Sequence, residues 1–300
     1  MEDDIYMNTL ALINVDENTV FYGGKERNST AVDYYFIGVP FDSTSSFFPG
    51  SRFAPKILRY LSYDMETNCI FSDKDFDEIN VYDLGDIIPI YDTEKMLMRI
   101  EKVMYKILDF GKKIIAVGGE HTITLPMIMA FIRKYGNNIG LITFDAHFDL
   151  RDRYPYGQKY SHATVMRRIG EIIGFKNIFV IGVRAYEREE KIFAIKNNIN
   201  FIASDEINRN IFSSLNSFIL NKKYIYLSID VDVCNISTSN PEMFGLKCED
   251  VLLILKRIRN RIINKLTVTD IVEYNPLLDH NYSSGIIVNK IIMETAGLFV

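Results

Sequence analysis

The stretch Thr143-Phe144-Asp145-Ala146-His147-Phe148-Asp149 decides the fold that the sequence predicts. The apolar run at residues 139–144 leads into it and is typical of a buried strand. If the strand direction continues, Asp145, His147 and Asp149 project to one side, because side chains alternate along an extended chain. A buried carboxylate without a partner costs several kcal/mol, or it takes up a proton. A divalent cation removes this cost, so the pattern indicates a metal site.

Two further strand ends carry the same types of residue. The apolar run at residues 224–229 is followed by Asp230 and Asp232, which again share a side. The run at residues 114–117 ends in two glycines and is followed by His121. In open α/β sheets, ligands bind beyond the carboxyl ends of the strands. Four aspartates and two histidines at such ends suit two ions that share bridging carboxylates better than they suit one ion.

Composition and charge narrow the class of protein. The chain has 300 residues, of which 48% are hydrophobic and 24% charged, an ordinary balance for a soluble globular protein. Its net charge of -5 argues against nucleic-acid binding and is compatible with a cationic substrate. Three cysteines are too few for a disulfide framework, and no signal peptide or membrane-spanning run is evident. We therefore expect a cytoplasmic protein with neither a membrane nor a nucleic-acid partner.

Regular alternation of strands and helices predicts a parallel sheet covered by helices on both faces. Eight strands are expected, at residues 34–39, 80–86, 112–117, 139–144, 177–183, 200–203, 224–229 and 267–273. The clearest helix is at residues 93–110, where Thr93 is a candidate cap and Gly111 a stop signal.

The sequence pattern of the N-terminal residues differs from that of the rest of the chain. Residues 1–32 are interpreted as an appended arm, in which two short apolar runs at 11–15 and 19–22 flank a polar turn and predict a hairpin. This arm is expected to pack on the domain or on a neighbouring subunit. Residues 33–300 are predicted to form a single catalytic domain.

The motifs resemble the signature blocks of the ureohydrolase family, which comprises arginases, agmatinases and their relatives. The matching blocks are Gly118-Gly119-Glu120-His121, Asp145-Ala146-His147-Phe148-Asp149, Ser228-Ile229-Asp230-Val231-Asp232 and Asp270-Ile271-Val272-Glu273. Two N-terminal blocks resemble the agmatinase branch more than the arginases: Gly38-Val39-Pro40-Phe41-Asp42 and Pro49-Gly50-Ser51-Arg52-Phe53-Ala54-Pro55. The resemblance implies a three-layer α/β/α domain of the arginase-like fold, built on a mostly parallel eight-stranded sheet.

The resemblance also implies a binuclear manganese site, with two Mn²⁺ per subunit. One ion would be held by His121, Asp145, Asp149 and Asp230. The other would be held by Asp145, His147, Asp230 and Asp232. Oxygen-rich ligation with two imidazoles suits Mn²⁺.

Three residues receive catalytic roles through the same resemblance. Asp149 would relay a proton from the attacking water to the leaving amine. Glu273 would pair with the guanidinium group of the substrate, because a planar cation invites a bidentate carboxylate. His162, at the start of a predicted helix, would shuttle protons.

Substrate preference must come from the loops. The loop at residues 150–159 does not match the pattern with which arginases hold an amino acid's carboxylate, so agmatine, cleaved to putrescine and urea, is favoured. Its distal ammonium would meet Asp152 or Glu187. Arg151 or Arg153 would instead accept a carboxylate, which keeps guanidinobutyrate and arginine as alternatives.

A second loop departs from the family pattern. Residues 234–241 read Cys234-Asn235-Ile236-Ser237-Thr238-Ser239-Asn240-Pro241, and the segment looks shortened. This departure keeps an aminopropylagmatine ureohydrolase and a non-catalytic family member as alternatives. A metallophosphatase is a further alternative, but it would need an Asn-His pair, which the chain lacks. The family commonly forms trimers or hexamers, so a homo-oligomer is expected.

Overall fold

A mostly parallel sheet forms the centre of the computed structural model, which describes residues 11–14, 21, 32–207 and 211–300. Its strands are β1 (Ile13–Asn14), β2 (Tyr34–Val39), β3 (Val81–Ile87), β4 (Lys113–Gly118), β5 (Ile139–Phe144), β6 (Ile178–Val183), β7 (Asn200–Ala203), β8 (Tyr224–Asp230) and β9 (Leu266–Val272). Their spatial order is β1-β3-β2-β4-β9-β8-β5-β6-β7. Strands β2 to β9 pair in parallel, which confirms the eight predicted strands.

The ninth strand, β1, was not predicted as part of the sheet. It pairs antiparallel with β3, through Ile13 with Ile87 and Asn14 with Asp86. Without it, β3 would be an edge strand with unpaired backbone groups, and two residues of the N-terminal arm satisfy part of that edge. Residues 15–20 and 22 lie outside the described residues, so the second strand of the predicted hairpin is not tested.

Helices cover both faces of the sheet. They are α1 (Ala54–Ser62), α2 (Thr93–Ile107), α3 (Thr124–Tyr135), α4 (Val165–Ile173), α5 (Arg188–Lys196), α6 (Ile211–Leu220), α7 (Cys248–Ile262) and α8 (Ser283–Leu298). Helix α1 contacts α8, and α7 contacts both α6 and α8, whereas α3 contacts α2 and α4. Two buried apolar clusters result, one on each face of the sheet, as a three-layer fold requires. Among the described residues, no helix combines the length and apolar character needed to cross a membrane.

Two helical details differ from the sequence-based expectation. Helix α6 was missed, although Ile211, Leu215 and Ile219 form a buried stripe at helical spacing. The cap of α2 is Asp92 and not Thr93: the Asp92 side chain accepts a hydrogen bond from the backbone N–H of Lys95 at 2.9 Å. Both cases are local, and neither alters the sheet.

Part of the predicted arm is anchored to the domain through Phe21. Its ring stacks on Phe36 with centroids 4.5 Å apart, and its backbone N–H donates to Asp83 Oδ2 at 2.7 Å. Asp83 is also bound in a bidentate manner by Arg59, at 2.7 and 2.9 Å. The described part of the arm therefore packs on its own chain at a buried ion pair.

Candidate metal centre

Four neighbouring strands bring the predicted site residues together. In the order β4-β9-β8-β5, they end at one edge of the sheet. His121 follows β4, Glu273 follows β9, Asp230 ends β8 and Asp145 follows β5. These strands are distant in sequence but adjacent in the sheet, which is why four separate motifs form one site.

A close backbone approach fixes the first of these turns. A Cβ atom on Gly119 would lie 2.0 Å from the carbonyl oxygen of Phe41, so only glycine fits there. The backbone N–H of Gly119 donates to Val39 O at 3.0 Å, and that of Glu120 donates to Phe41 O at 2.8 Å. His121 is thereby held directly beyond the end of β4.

Three carboxylates converge on one nitrogen of His121. Its Nδ1 lies 3.2 Å from Asp145 Oδ2, 3.1 Å from Asp149 Oδ2 and 3.4 Å from Asp230 Oδ2. All four side chains are buried. This cluster contains the four residues predicted for the first ion.

A second group lies beside it and shares Asp145. His147 Nδ1 lies 2.9 Å from Asp232 Oδ2 and 3.7 Å from Asp145 Oδ1. Backbone hydrogen bonds hold these carboxylates, because Asp145 Oδ1 accepts from His147 N at 2.6 Å and Asp232 Oδ1 accepts from Ala146 N at 3.0 Å. His147 is the more accessible histidine, with 27% of its side chain exposed against 1% for His121.

The buried polar atoms fit a pair of metal ions. Among the described residues, His121 Nδ1 and Asp145 Oδ2 have no hydrogen-bond partner although both are buried. Burial and the neighbouring charges of Asp232 and Asp145 raise the pKa of Asp230 well above its usual range. Burial, followed by the charge of Asp145, raises the pKa of Asp149 to about 7. Cations at this point would relieve the mutual repulsion and accept the unpaired lone pairs, and carboxylates with imidazoles are ligands that Mn²⁺ accepts.

The far nitrogen of His121 is held by a buried relay that sequence reasoning missed. His121 Nε2 lies 3.0 Å from Ser228 Oγ, and that hydroxyl lies 2.5 Å from Asp270 Oδ1. Asp270 Oδ2 accepts from Thr124 Oγ1 at 2.8 Å and from the Tyr226 hydroxyl at 2.6 Å. If Ser228 donates to Asp270, its oxygen accepts the Nε2–H of His121, which leaves the Nδ1 lone pair for a metal.

Two of the predicted catalytic carboxylates have unusual backbones. Asp149 has φ 52° and Glu273 has φ 70°, in the left-handed region that non-glycine residues seldom adopt. Such conformations cost about 1–3 kcal/mol each and concentrate at functional sites. Glu273 Oε1 accepts from the backbone N–H of His121 at 2.7 Å, whereas Oε2 is buried with no hydrogen-bond partner among the described residues. Glu273 therefore has acceptor capacity left for a ligand.

His162 lines the same cavity and is held by the loop after β2. Its Nε2 lies 3.2 Å from Ser46 Oγ, and its backbone N–H donates to Thr44 Oγ1 at 3.3 Å. Thr44 also bonds the buried carboxylate of Glu120, through Oγ1 and through its backbone N–H. Burial, with the nearby imidazoles of His147 and His121, lowers the pKa of His162 to about 4. Near neutral pH, His162 is thus uncharged.

A cavity of about 480 Å³ opens onto the cluster. Its lining includes His147, Asp149 and His162, together with three glutamates, Glu187, Glu190 and Glu242. Asp152 is not part of this lining: it lies 3.0 Å from Arg168 Nη2 and 3.5 Å from Arg167 Nε, with 61% of its side chain exposed. Of the two residues predicted to bind the distal ammonium of the substrate, Glu187 lines the cavity and Asp152 does not.

Comparisons with known proteins find relatives that match most of the chain. The chain is 33% identical over 267 residues to an agmatinase from Bacillus subtilis, covering 87% of this chain and 90% of that protein. It is 30% identical over 281 residues to a guanidinobutyrase from Pseudomonas aeruginosa, covering 88% and 85%. The crystal structure of an agmatine ureohydrolase of Thermoplasma volcanium superposes with a TM-score of 0.82 at 28% identity, covering 98% of this chain and 97% of that one.

The fold and the site define a class of three-layer α/β/α protein with a cluster of acids and imidazoles beyond its central strands. The model of the Arginase family matches residues 32–297, and the chain belongs to that family. Within it, the chain is an agmatinase-like ureohydrolase and hence an enzyme. The resemblance derived from the sequence motifs is confirmed.

Proposed function

We propose that the enzyme hydrolyses agmatine to putrescine and urea with two Mn²⁺ ions per subunit. The observation that carries the choice of agmatine is the charge of the cavity. A substrate with a guanidinium at one end and an ammonium at the other suits a pocket that ends in carboxylates and is walled by glutamates.

The one arginine of the described cavity lining is already engaged by two of these glutamates. Arg151 Nη2 lies 3.4 Å from Glu187 Oε1, and its Nε lies 3.8 Å from Glu190 Oε2. Its guanidinium also sits 4.3 Å from the centroid of the Tyr154 ring. A substrate carboxylate would have to compete with both glutamates for Arg151. An ammonium would meet a cavity wall of net negative charge, and we assign Glu187 as its partner.

Six side chains would hold the metal pair, as two overlapping groups of four. The first group is His121, Asp145, Asp149 and Asp230. The second is Asp145, His147 and Asp232, to which the family resemblance adds Asp230. When bound, divalent ions lower the pKa of a water molecule so that it can attack carbon near neutral pH.

The remaining steps are assigned to this chain's own side chains. Glu273 would bind the guanidinium and hold its carbon towards the attacking water. Asp149 would take the proton of that water and return it to the leaving amine as the C–N bond breaks. His162, which lines the cavity with its Nε2 3.2 Å from Ser46 Oγ, would exchange protons between the cavity and the solvent.

Guanidinobutyrate is the second candidate, because Arg151 does line the cavity. If its pairs with Glu187 and Glu190 open, its guanidinium becomes available to a carboxylate. Arginine and an aminopropylated agmatine complete the set of substrates to be compared.

The test is urea release by the Mn²⁺-loaded enzyme with agmatine, arginine, guanidinobutyrate and aminopropylagmatine. We expect the highest kcat/KM with agmatine, and a higher KM for agmatine in Glu187→Gln. Higher kcat/KM with guanidinobutyrate, lost in Arg151→Gln, would move the assignment to the second candidate. No turnover of any guanidine by protein that holds both ions would refute the proposal. Trimeric or hexameric assembly in the cytoplasm is proposed as well, and light scattering would measure the subunit number.

A further inference from the structure

Arg184 ties together both ends of the loop at residues 233–243. This side chain follows β6 and is half-buried. Its guanidinium donates to five backbone carbonyl oxygens: Gly182 at 3.5 Å, Asp232 at 2.5 Å, Val233 at 3.3 Å, Glu242 at 3.0 Å and Met243 at 2.8 Å. A planar group with five fixed donors is suited to hold several carbonyls in one arrangement. The loop therefore cannot shift at residue 242 without breaking bonds to Arg184.

The base of the loop is closed independently of Arg184. Asn235 Oδ1 accepts from the backbone N–H of Gly245 at 2.7 Å, and Leu246 N donates to Val233 O at 2.8 Å. The loop at residues 233–243, which contains the segment that departs from the family pattern, is thus a defined structure, and its Glu242 side chain is directed towards His147.

Glu242 faces the nitrogen of His147 that points away from the other carboxylates. His147 Nδ1 lies 2.9 Å from Asp232 Oδ2, whereas Nε2 lies 3.7 Å from Glu242 Oε1. A neutral imidazole carries a single N–H, so if Nδ1 binds a metal, that hydrogen is on Nε2 and is directed towards Glu242. Ligand histidines commonly donate this second N–H to a carboxylate, which orients the ring and raises its basicity.

The two ligand histidines therefore have different partners at Nε2. His121 faces the hydroxyl of Ser228 inside the protein, at 3.0 Å. His147 faces a carboxylate with 42% of its side chain exposed, at the position of the loop where Arg184 binds the backbone. The separation of 3.7 Å is longer than a hydrogen bond, so the Glu242 side chain has to move closer to accept from Nε2.

We propose that Glu242 is the positioning residue of His147, and that Arg184 holds the loop so that this carboxylate stays within reach. The proposal rests on the proposed metal function of the site. It assigns a role in metal affinity to a loop whose sequence departs from the family pattern, and it places Glu242 beside the metal centre as well as in the wall of the cavity.

The experiment is a calorimetric titration of metal-free protein with Mn²⁺, comparing wild type with Glu242→Gln. We expect the dissociation constant of one ion to rise about 10- to 100-fold and that of the other to stay unchanged. Arg184→Gln should act in the same direction. Glu187→Gln is the matched control, because it removes a charge from the same cavity without touching a ligand histidine, and it should leave both constants unchanged.

Two outcomes would overturn the proposal, and they are distinguishable. If wild type binds two Mn²⁺ and Glu242→Gln binds them equally well, Glu242 does not position His147. A raised KM for agmatine in that variant would then assign its carboxylate to the substrate tail. If wild type does not bind two Mn²⁺, the proposed metal function itself fails and this inference fails with it. Unfolding of the metal-free variants by urea shows whether each remains folded.

Discussion

Removal of one hydroxyl, in Ser228→Ala, tests how the ligand His121 is held. The hydroxyl lies between His121 Nε2, at 3.0 Å, and Asp270 Oδ1, at 2.5 Å. Without it, the imidazole loses the acceptor that keeps its hydrogen on Nε2, and Nδ1 is no longer reserved for a metal. Loss of such an outer partner typically lowers metal affinity about 10- to 100-fold, or about 1.4–2.8 kcal/mol.

The same substitution should also destabilise the metal-free protein. Asp270 is fully buried, and it would keep only two of its three hydroxyl donors, those of Thr124 and Tyr226. Leaving buried polar groups unpaired costs about 1–3 kcal/mol. Mn²⁺ titration measures the first effect, and urea unfolding of metal-free protein measures the second.

A matched control lies on the neighbouring strand. Thr143 is paired with Ser228 across β5 and β8, and its buried hydroxyl has no hydrogen-bond partner among the described residues. Thr143→Val removes a hydroxyl of similar burial and should lower neither metal affinity nor stability. Equal metal affinity in Ser228→Ala and wild type would refute the relay, whatever the change in stability.

Three more predictions concern other parts of the protein. Arg59→Met should lower the free energy of unfolding by about 3–5 kcal/mol in urea, because it leaves the buried Asp83 without its bidentate partner; a loss below about 1 kcal/mol would show that the pair does not contribute. Chelation of the metal should lower the melting temperature, and Mn²⁺ at about 100 times its dissociation constant should raise the free energy of unfolding by about 2.7 kcal/mol. A melting temperature unchanged by both treatments would argue against metal binding to the folded state. Asp152→Asn should leave the KM for agmatine unchanged, because Arg167 and Arg168 already bind this carboxylate outside the cavity lining; a raised KM would return Asp152 to the substrate site.

The parallel sheet was predictable because its strands are locally encoded. Most strands from β2 to β9 are short and largely apolar, and residues 139–144 are buried throughout. The two-residue strand β1 carries no such signal, because its pairing depends on the exposed edge of β3. Helix α6 differs from β1, because its apolar stripe is clear in the sequence although no element was assigned there.

Most candidate ligands were predictable because they occur in two short sequence motifs, each at the end of one strand. Asp145, His147 and Asp149 are spaced so that one strand end places all three at the site, and Asp230 with Asp232 repeats the pattern. The outer partners are not contiguous with them. Ser228 and Asp270 meet His121 only because β4, β9 and β8 are neighbours in the sheet. The sequence does show Ser228 and Asp270 as polar residues within largely apolar strands. That observation identifies them as partners of His121 only once the order of the strands in the sheet is known.

The wall of the cavity shows why substrate preference is harder to read than reaction class. Arg151 and Asp152 are adjacent in sequence, yet Arg151 lines the cavity and Asp152 pairs with the arginines of α4. Sequence spacing distinguishes the sides of an extended strand, but the loop at residues 150–159 has no such period. Which charges of this loop face the cavity depends on their partners on α4 and at the start of α5. The positive charge of Arg151, for example, is offset by the carboxylates of Glu187 and Glu190. The candidate metal ligands are positioned by strands, each of which can be predicted from its own stretch of sequence. The net charge of the cavity wall, in contrast, depends on ion pairs between loops and helices, and these form only in the folded chain.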